Sequence, residues 1–213
     1  MSTWAELLSD IRYDLQDTAA TKRWSDDLLH LYAKDGLRDY SMWFPKRVDR
    51  TQLVPDGDGY MLPIDFIQDI YVECPADTYL ERKEVRPGTR KPKRPKVVTY
   101  YCMGGRLYLN AATEQPVLLT YFSAHAVPPT ADAECTLTVP DTDLELIRLY
   151  VKAKAYSQMR SKQSALDRFK PTGGRDDNPL EPEVADLMRD YERGIAERIH
   201  GGMIVLYRMG ARR

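Results

Sequence analysis

The stretch "VVTYYCMGGRLYLN", residues 97–110, decides how the middle of the chain folds. β-branched and aromatic residues flank Gly104-Gly105, and paired glycines accept the positive φ of a two-residue hairpin turn. Two antiparallel strands joined by that turn are therefore expected. Runs of the same texture lie on either side, from about Arg50 to Pro140: "GYMLP", "IQDIYVEC", "TYLERKEV", "PVLLTYFSA" and "CTLTV". Each has strand length and is bounded by proline, glycine or a polar cluster. Six or seven such strands make a small antiparallel sandwich or barrel-like unit.

Outside this region the periodicity is helical. Trp4, Leu7, Leu8, Ile11 and Leu15 repeat at helical intervals, and Thr3 and Glu6 have capping-box spacing. "DTAATKR" (17–23) breaks this helix. A second helix starts at a Ser25 cap, with Asp26 and Asp27 in its first turn. Trp24 and Leu29 have the spacing of a hydrophobic staple, and Pro45 ends the element. A third helix is read from Thr142, capped through Glu145. It carries one apolar face of Leu144, Ile147, Val151 and Ala155, and a second of Leu146, Leu149, Ala153 and Tyr156. "FKPTGGRDDNPLEP" (169–182) reads as a connector. A last helix from about Pro182 aligns Val184, Leu187, Met188, Tyr191, Ile195 and Ile199, and Gly201-Gly202 ends it.

The expected fold is thus α+β: a four-helix bundle of two N-terminal and two C-terminal helices, a β insertion and a C-terminal extension. The divisions are 1–48, 49–140, 141–200 and 201–213. The insertion joins helices of one bundle, so its two ends are expected close together.

Composition narrows the function. Hydrophobic residues make up 43% of the 213 and charged residues 30%, the balance of a globular chain. The longest apolar runs fall well short of the roughly 20 residues of a membrane span, and the N-terminus lacks the apolar core of a signal peptide. No membrane partner is expected. Three dispersed cysteines, Cys74, Cys102 and Cys135, make no disulfide framework and suit a reducing compartment. They and His30, His125 and His200 have no metal-ligand spacing, so neither metal nor cofactor is expected. "PTGGRDD" lacks the ending of a phosphate-binding loop, no nucleophile elbow occurs, and "DGDG" (56–59) reads as a polar turn. A hydrolase would rest on abundant carboxylates alone.

Two segments stand out as partner-binding candidates. "RPGTRKPKRPK" (86–96) gathers six basic residues in a chain of net charge −1: Arg86, Arg90, Lys91, Lys93, Arg94 and Lys96. Its prolines favour exposed, extended backbone. A protein-docking loop is expected there, with nucleic-acid binding as the competing reading. The tail contains Met203, Ile204, Val205, Leu206 and Tyr207, apolar and β-prone, followed by Arg208, Arg212 and Arg213. A sticky terminal segment calls for a covering partner. The second face of the third helix calls for one too, making Leu146, Leu149, Ala153 and Tyr156 subunit-interface candidates.

The opening 42 residues from Trp4 resemble the helix pair of tailed-phage head-to-tail connector adaptors. The matching positions are Trp24, Ser25, Asp26, Leu29, Asp35, Gly36, Leu37 and Arg38. "YMLPIDFIQDIYVE", through Leu62, Pro63, Asp65 and Phe66, is similar to the start of the β insertion in that group and in podovirus tail tubular proteins. The resemblance implies a virion structural protein without catalysis, assembled in the host cytoplasm and placed in the head-tail neck. It implies a homo-oligomeric ring of about twelve subunits. The portal protein would lie on one side and a tail or neck protein on the other. Genomic DNA would pass through the lumen without sequence-specific binding. The tail would dock on the portal, Met203–Tyr207 through apolar contact and Arg208, Arg212 and Arg213 as charged anchors. A tail-tube or stopper protein of the same neck is the close alternative.

Overall fold

The computed structural model describes residues 2–19, 22–83, 98–111, 113–130, 135–167 and 180–201. The chain is mixed α+β, with four helices and two sheets, and divides into two compact units, Met1–Phe44 with His125–Arg213, and Pro45–Ala124.

In the helical unit, α1 spans Trp4–Asp14 and its Thr3–Glu6 capping box is formed. Ser25 caps α2 (Asp26–Trp43), its hydroxyl accepting from the Leu28 N–H at 3.2 Å. Trp24 and Leu29 are both buried in the helical core, as a staple requires. Between α1 and α2 the buried Asp17 carboxylate accepts from the Arg23 and Trp24 amides at 2.7 and 3.3 Å. It also pairs with Arg12 at 2.8 Å. One carboxylate thus organises the connection.

α3 (Leu144–Asp167) packs against α1, α2 and α4 (Leu180–Gly201). The expected Thr142–Glu145 capping box is not formed. A 3-10 turn, Asp141–Asp143, leads into α3 instead, and the Thr142 hydroxyl donates to Asp143 at 3.2 Å. α4 begins at Leu180, two residues before Pro182, because proline is tolerated in a first helical turn.

The second unit contains β1 (Lys46–Gln52), β2 (Pro55–Asp56), β3 (Gly59–Met61), β4 (Phe66–Glu73), β5 (Glu81–Arg82), β6 (Thr99–Met103), β7 (Arg106–Leu109) and β8 (Leu118–Ser123). They form a three-stranded sheet, β1-β8-β4, and a five-stranded sheet, β2-β3-β7-β6-β5. The hairpin predicted at Gly104-Gly105 joins β6 to β7, with φ of +59° and +75° at the two glycines. Leu53, Val72 and Leu119 meet Tyr100, Leu107 and Leu109, so both sheets share one apolar cluster.

Three sequence expectations change here. The insertion is not wholly antiparallel, since β5 pairs parallel with β6. The long connection between those two strands permits this, whereas a tight turn would force the antiparallel arrangement. β1 forms from a sequence, KRVDRTQ, that is mostly charged and carries no strand signal of its own. "CTLTV" makes only an isolated bridge, Thr136 to Thr3, and Leu137 and Val139 are buried in the helical core. Compact unit two accordingly closes at Ala124, ahead of the expected boundary at 140.

The entering and leaving strands are hydrogen-bonded neighbours, with Lys46 opposite Ser123. Just outside them a histidine joins the two chain crossings. His125 Nε2 lies 2.9 Å from the Phe44 carbonyl oxygen, Nδ1 lies 2.7 Å from the Thr138 hydroxyl, and the His125 amide donates to Ser41 Oγ at 3.1 Å.

Candidate partner-binding surfaces

Arg86, Arg90, Lys91, Lys93, Arg94 and Lys96 lie outside the described residues, but both feet of their loop are defined. Before it, Glu81 and Arg82 pair with Thr99 and Tyr100, and the Lys83 amide donates to the Tyr100 carbonyl at 2.8 Å. After it, the Thr99 amide donates to the Asn110 side chain at 2.9 Å. Beneath the feet, Arg82 pairs with buried Asp69 at 3.0 Å, and the Tyr100 hydroxyl donates to the same carboxylate at 2.6 Å. Burial and then Asp69 push the Tyr100 hydroxyl far above its ordinary pKa. The Cys102 thiol, pushed up to about 11 by burial and Asp69, stays protonated. The loop therefore leaves a fixed platform.

Met203, Ile204, Val205, Leu206, Tyr207, Arg208, Arg212 and Arg213 also lie outside the described residues. The helix that carries them is pinned near its end. Arg198 donates through Nε to Asp143 at 2.6 Å and through Nη2 to the Thr142 carbonyl at 2.8 Å, and Tyr40 also donates to Asp143. Burial raises the Asp143 pKa, but the donors Tyr40 and Arg198 outweigh it and hold the carboxyl below its ordinary value. The last turn of α4 is thus tied to the start of α3.

The four interface candidates on α3 sit inside the chain's own helical unit. Leu146 and Ala153 are 2% and 1% exposed, while Leu149 and Tyr156 are half-buried against the same core. A Cβ built on Gly194 of α4 would stand 2.5 Å from Leu146 Cδ2, so glycine there lets α4 close over this face. Burial raises the Tyr156 hydroxyl, and Glu183 of α4 and Asp14 of α1 add to the shift. The second face of α3 finds its cover within the same polypeptide.

Two exposed features were not singled out by composition or motif. Across β3, β7 and β6 the register sets Met61 opposite Arg106 and Arg106 opposite Met103. The Met61 amide donates to the Val54 carbonyl at 3.4 Å, which extends the row to the residue preceding β2. Facing residues on paired strands share a side of the sheet. Val54, Met61 and Met103 are exposed, and Arg106 pairs with Asp56 at 2.6 Å. On α2, Leu31 and Met42 are exposed, with the Asp35–Arg38 pair between them at 3.8 Å. Strand alternation with register reveals the first feature, and helical spacing the second.

No helix among the described residues is long and apolar enough to cross a membrane. Among them, no group of three or more His, Cys, Asp or Glu is placed to hold a metal ion.

The arrangement defines a nested α+β protein, in which a β unit is inserted between the halves of a helical unit. The family model described as SU10 adaptor protein matches residues 2–203, and the chain belongs to that family of phage head-to-tail adaptors. The match spans both compact units and stops at Met203, so Ile204–Arg213 lie beyond it. A comparison with curated proteins found no match.

Proposed function

We propose that this chain forms a closed ring, of twelve copies, beneath the portal of a tailed phage. The ring joins capsid to tail in the virion neck and leaves a channel for DNA packaging and ejection. One observation carries this reading: membership in a phage head-to-tail adaptor family over nearly the whole chain. The helices work as a four-helix bundle in the ring wall, and the β insertion presents one of its surfaces to a tail or neck protein. Residues 203–213 dock on the portal, and the basic loop 86–96 contacts an acidic protein surface. DNA passes through the lumen without sequence-specific contacts, and no reaction is catalysed. The subunits fold in the host cytoplasm before joining the particle.

The fixed exit of α4 supports the docking role of the tail, because a segment leaving a pinned helix end loses less freedom on binding. Truncation after Gly202 tests it. The shortened chain is expected to assemble as the full chain does and to lose co-sedimentation with purified portal. Undiminished portal binding by the truncated chain overturns the docking role. Crosslinking to the portal separates an adaptor from a stopper or tail-tube protein, since only the adaptor touches it.

A further inference from the structure

We propose that the outer face of the five-stranded sheet is a subunit interface, and that α2 of a second copy of this chain lies across it. This deepens the ring reading and rests on it, adding which two surfaces meet. A closed ring needs two unlike patches on each subunit. The sheet row and the α2 stripe are unlike in structure and alike in pattern: apolar groups with one Asp–Arg pair among them.

Their lengths agree. The row crosses from Val54 beside β2 to Met103 on β6, about 14 Å at the usual strand spacing. From Leu31 to Met42 the helix climbs about 16 Å at its usual rise. Their charges agree in one direction only. With Met42 over Val54 and Leu31 over Met103, Arg38 falls near Asp56 and Asp35 falls near Arg106. The reverse direction moves Arg38 towards Arg106 and separates the opposite charges. Each ion pair is now exposed, so sharing it across an interface costs little existing stability.

The area also fits. Met61 and Met103 are 58% and 61% exposed, and with Val54 they present about 400 Å² of apolar surface. That is enough for the core of an interface taking about 800 Å² from each partner. Tyr101 and Tyr108, stacked at 5.0 Å on neighbouring strands, extend the same side.

The experiment is native mass spectrometry over a concentration series, alone and with purified portal, on wild type, Met61→Asp, Met103→Asp, Asp35→Arg, Arg106→Asp and the Asp35→Arg/Arg106→Asp double variant. All four positions are on the surface, so unfolding temperatures are expected to stay near wild type. Met61→Asp and Met103→Asp are expected to weaken assembly at least about 30-fold, as a charge in an interface core does. Asp35→Arg and Arg106→Asp each weaken it, and the double variant recovers much of the loss. A wild-type ring that all the variants reproduce overturns this interface while leaving the ring reading intact. Variant rings that form but no longer join heads to tails assign the face to another protein and overturn the second copy as its occupant. A wild-type chain that stays monomeric with and without portal overturns both.

Discussion

Truncating Leu146 to alanine separates two accounts of α3. In the structure this side chain is buried by its own chain, against a glycine of α4. Removing three carbons from such a site costs their transfer free energy and leaves a partial cavity, about 2–5 kcal/mol in comparable cases. Gly194 already brings the α4 backbone close, so α4 has little distance left to collapse, most of the cavity stays open and the cost falls in the upper part of that range, about 4 kcal/mol. For a chain of this size that lowers Tm by roughly 8–16 °C. The measurement is thermal unfolding by circular dichroism, at a concentration too low for assembly. Leu146→Ala combined with Gly194→Ala is expected to recover part of the loss, since the new methyl group fills space that the leucine vacated. A Tm within 2 °C of wild type, together with weakened assembly, refutes the reasoning and returns Leu146 to the subunit surface.

Three further outcomes follow from the geometry. Asp143 has a depressed pKa, so its contribution is fully present above its ordinary value near 3.8 and is lost as pH falls through the lower, folded value. Asp143→Asn is expected to flatten the acid limb of the stability–pH profile below about pH 4; an unchanged limb removes the Tyr40–Asp143–Arg198 cluster as its source. Glu73 is buried, accepts the Asp77 amide at 2.8 Å and pairs with Arg50 at 3.1 Å. Glu73→Ala is expected to cost about 1.5–3 kcal/mol in urea unfolding of the β unit, through loss of the charge-assisted hydrogen bond that the buried carboxylate accepts, since Arg50 stays exposed and paired with Asp77; an unchanged midpoint contradicts this. Replacing Arg90, Lys91, Lys93, Arg94 and Lys96 with glutamine is expected to leave ring formation intact and to weaken attachment of the tail-side partner. Wild-type DNA binding with a steep salt dependence that the replacement abolishes would assign the loop to nucleic acid.

Local signals in the sequence carried the elements whose causes are local. The Thr3–Glu6 box, the Ser25 cap and the Gly104-Gly105 turn each need a few adjacent residues, and each forms where its spacing places it. Elements fixed by distant partners were opaque. β1 is an edge strand whose pattern breaks at a bulge between Val48 and Thr51. There Arg50 takes a φ of +49° and reaches Glu73 on β4, a partner that no local window contains. "CTLTV" has strand composition, but its apolar residues pack under helices. The two apolar faces of α3 were visible; that α4 of the same chain covers the second depends on a glycine half a helix beyond a long connection. The basic loop and tail stood out by composition alone. The Met61–Arg106–Met103 row needed strand register before its members could be seen as neighbours.

The central claim is that the chain assembles as an adaptor against the portal. Cryo-electron microscopy of purified protein mixed with purified portal tests it most directly. A closed ring of twelve copies stacked coaxially on the portal, with the C-terminal residues at the junction, is the predicted image. Free portal beside monomeric protein would contradict the account.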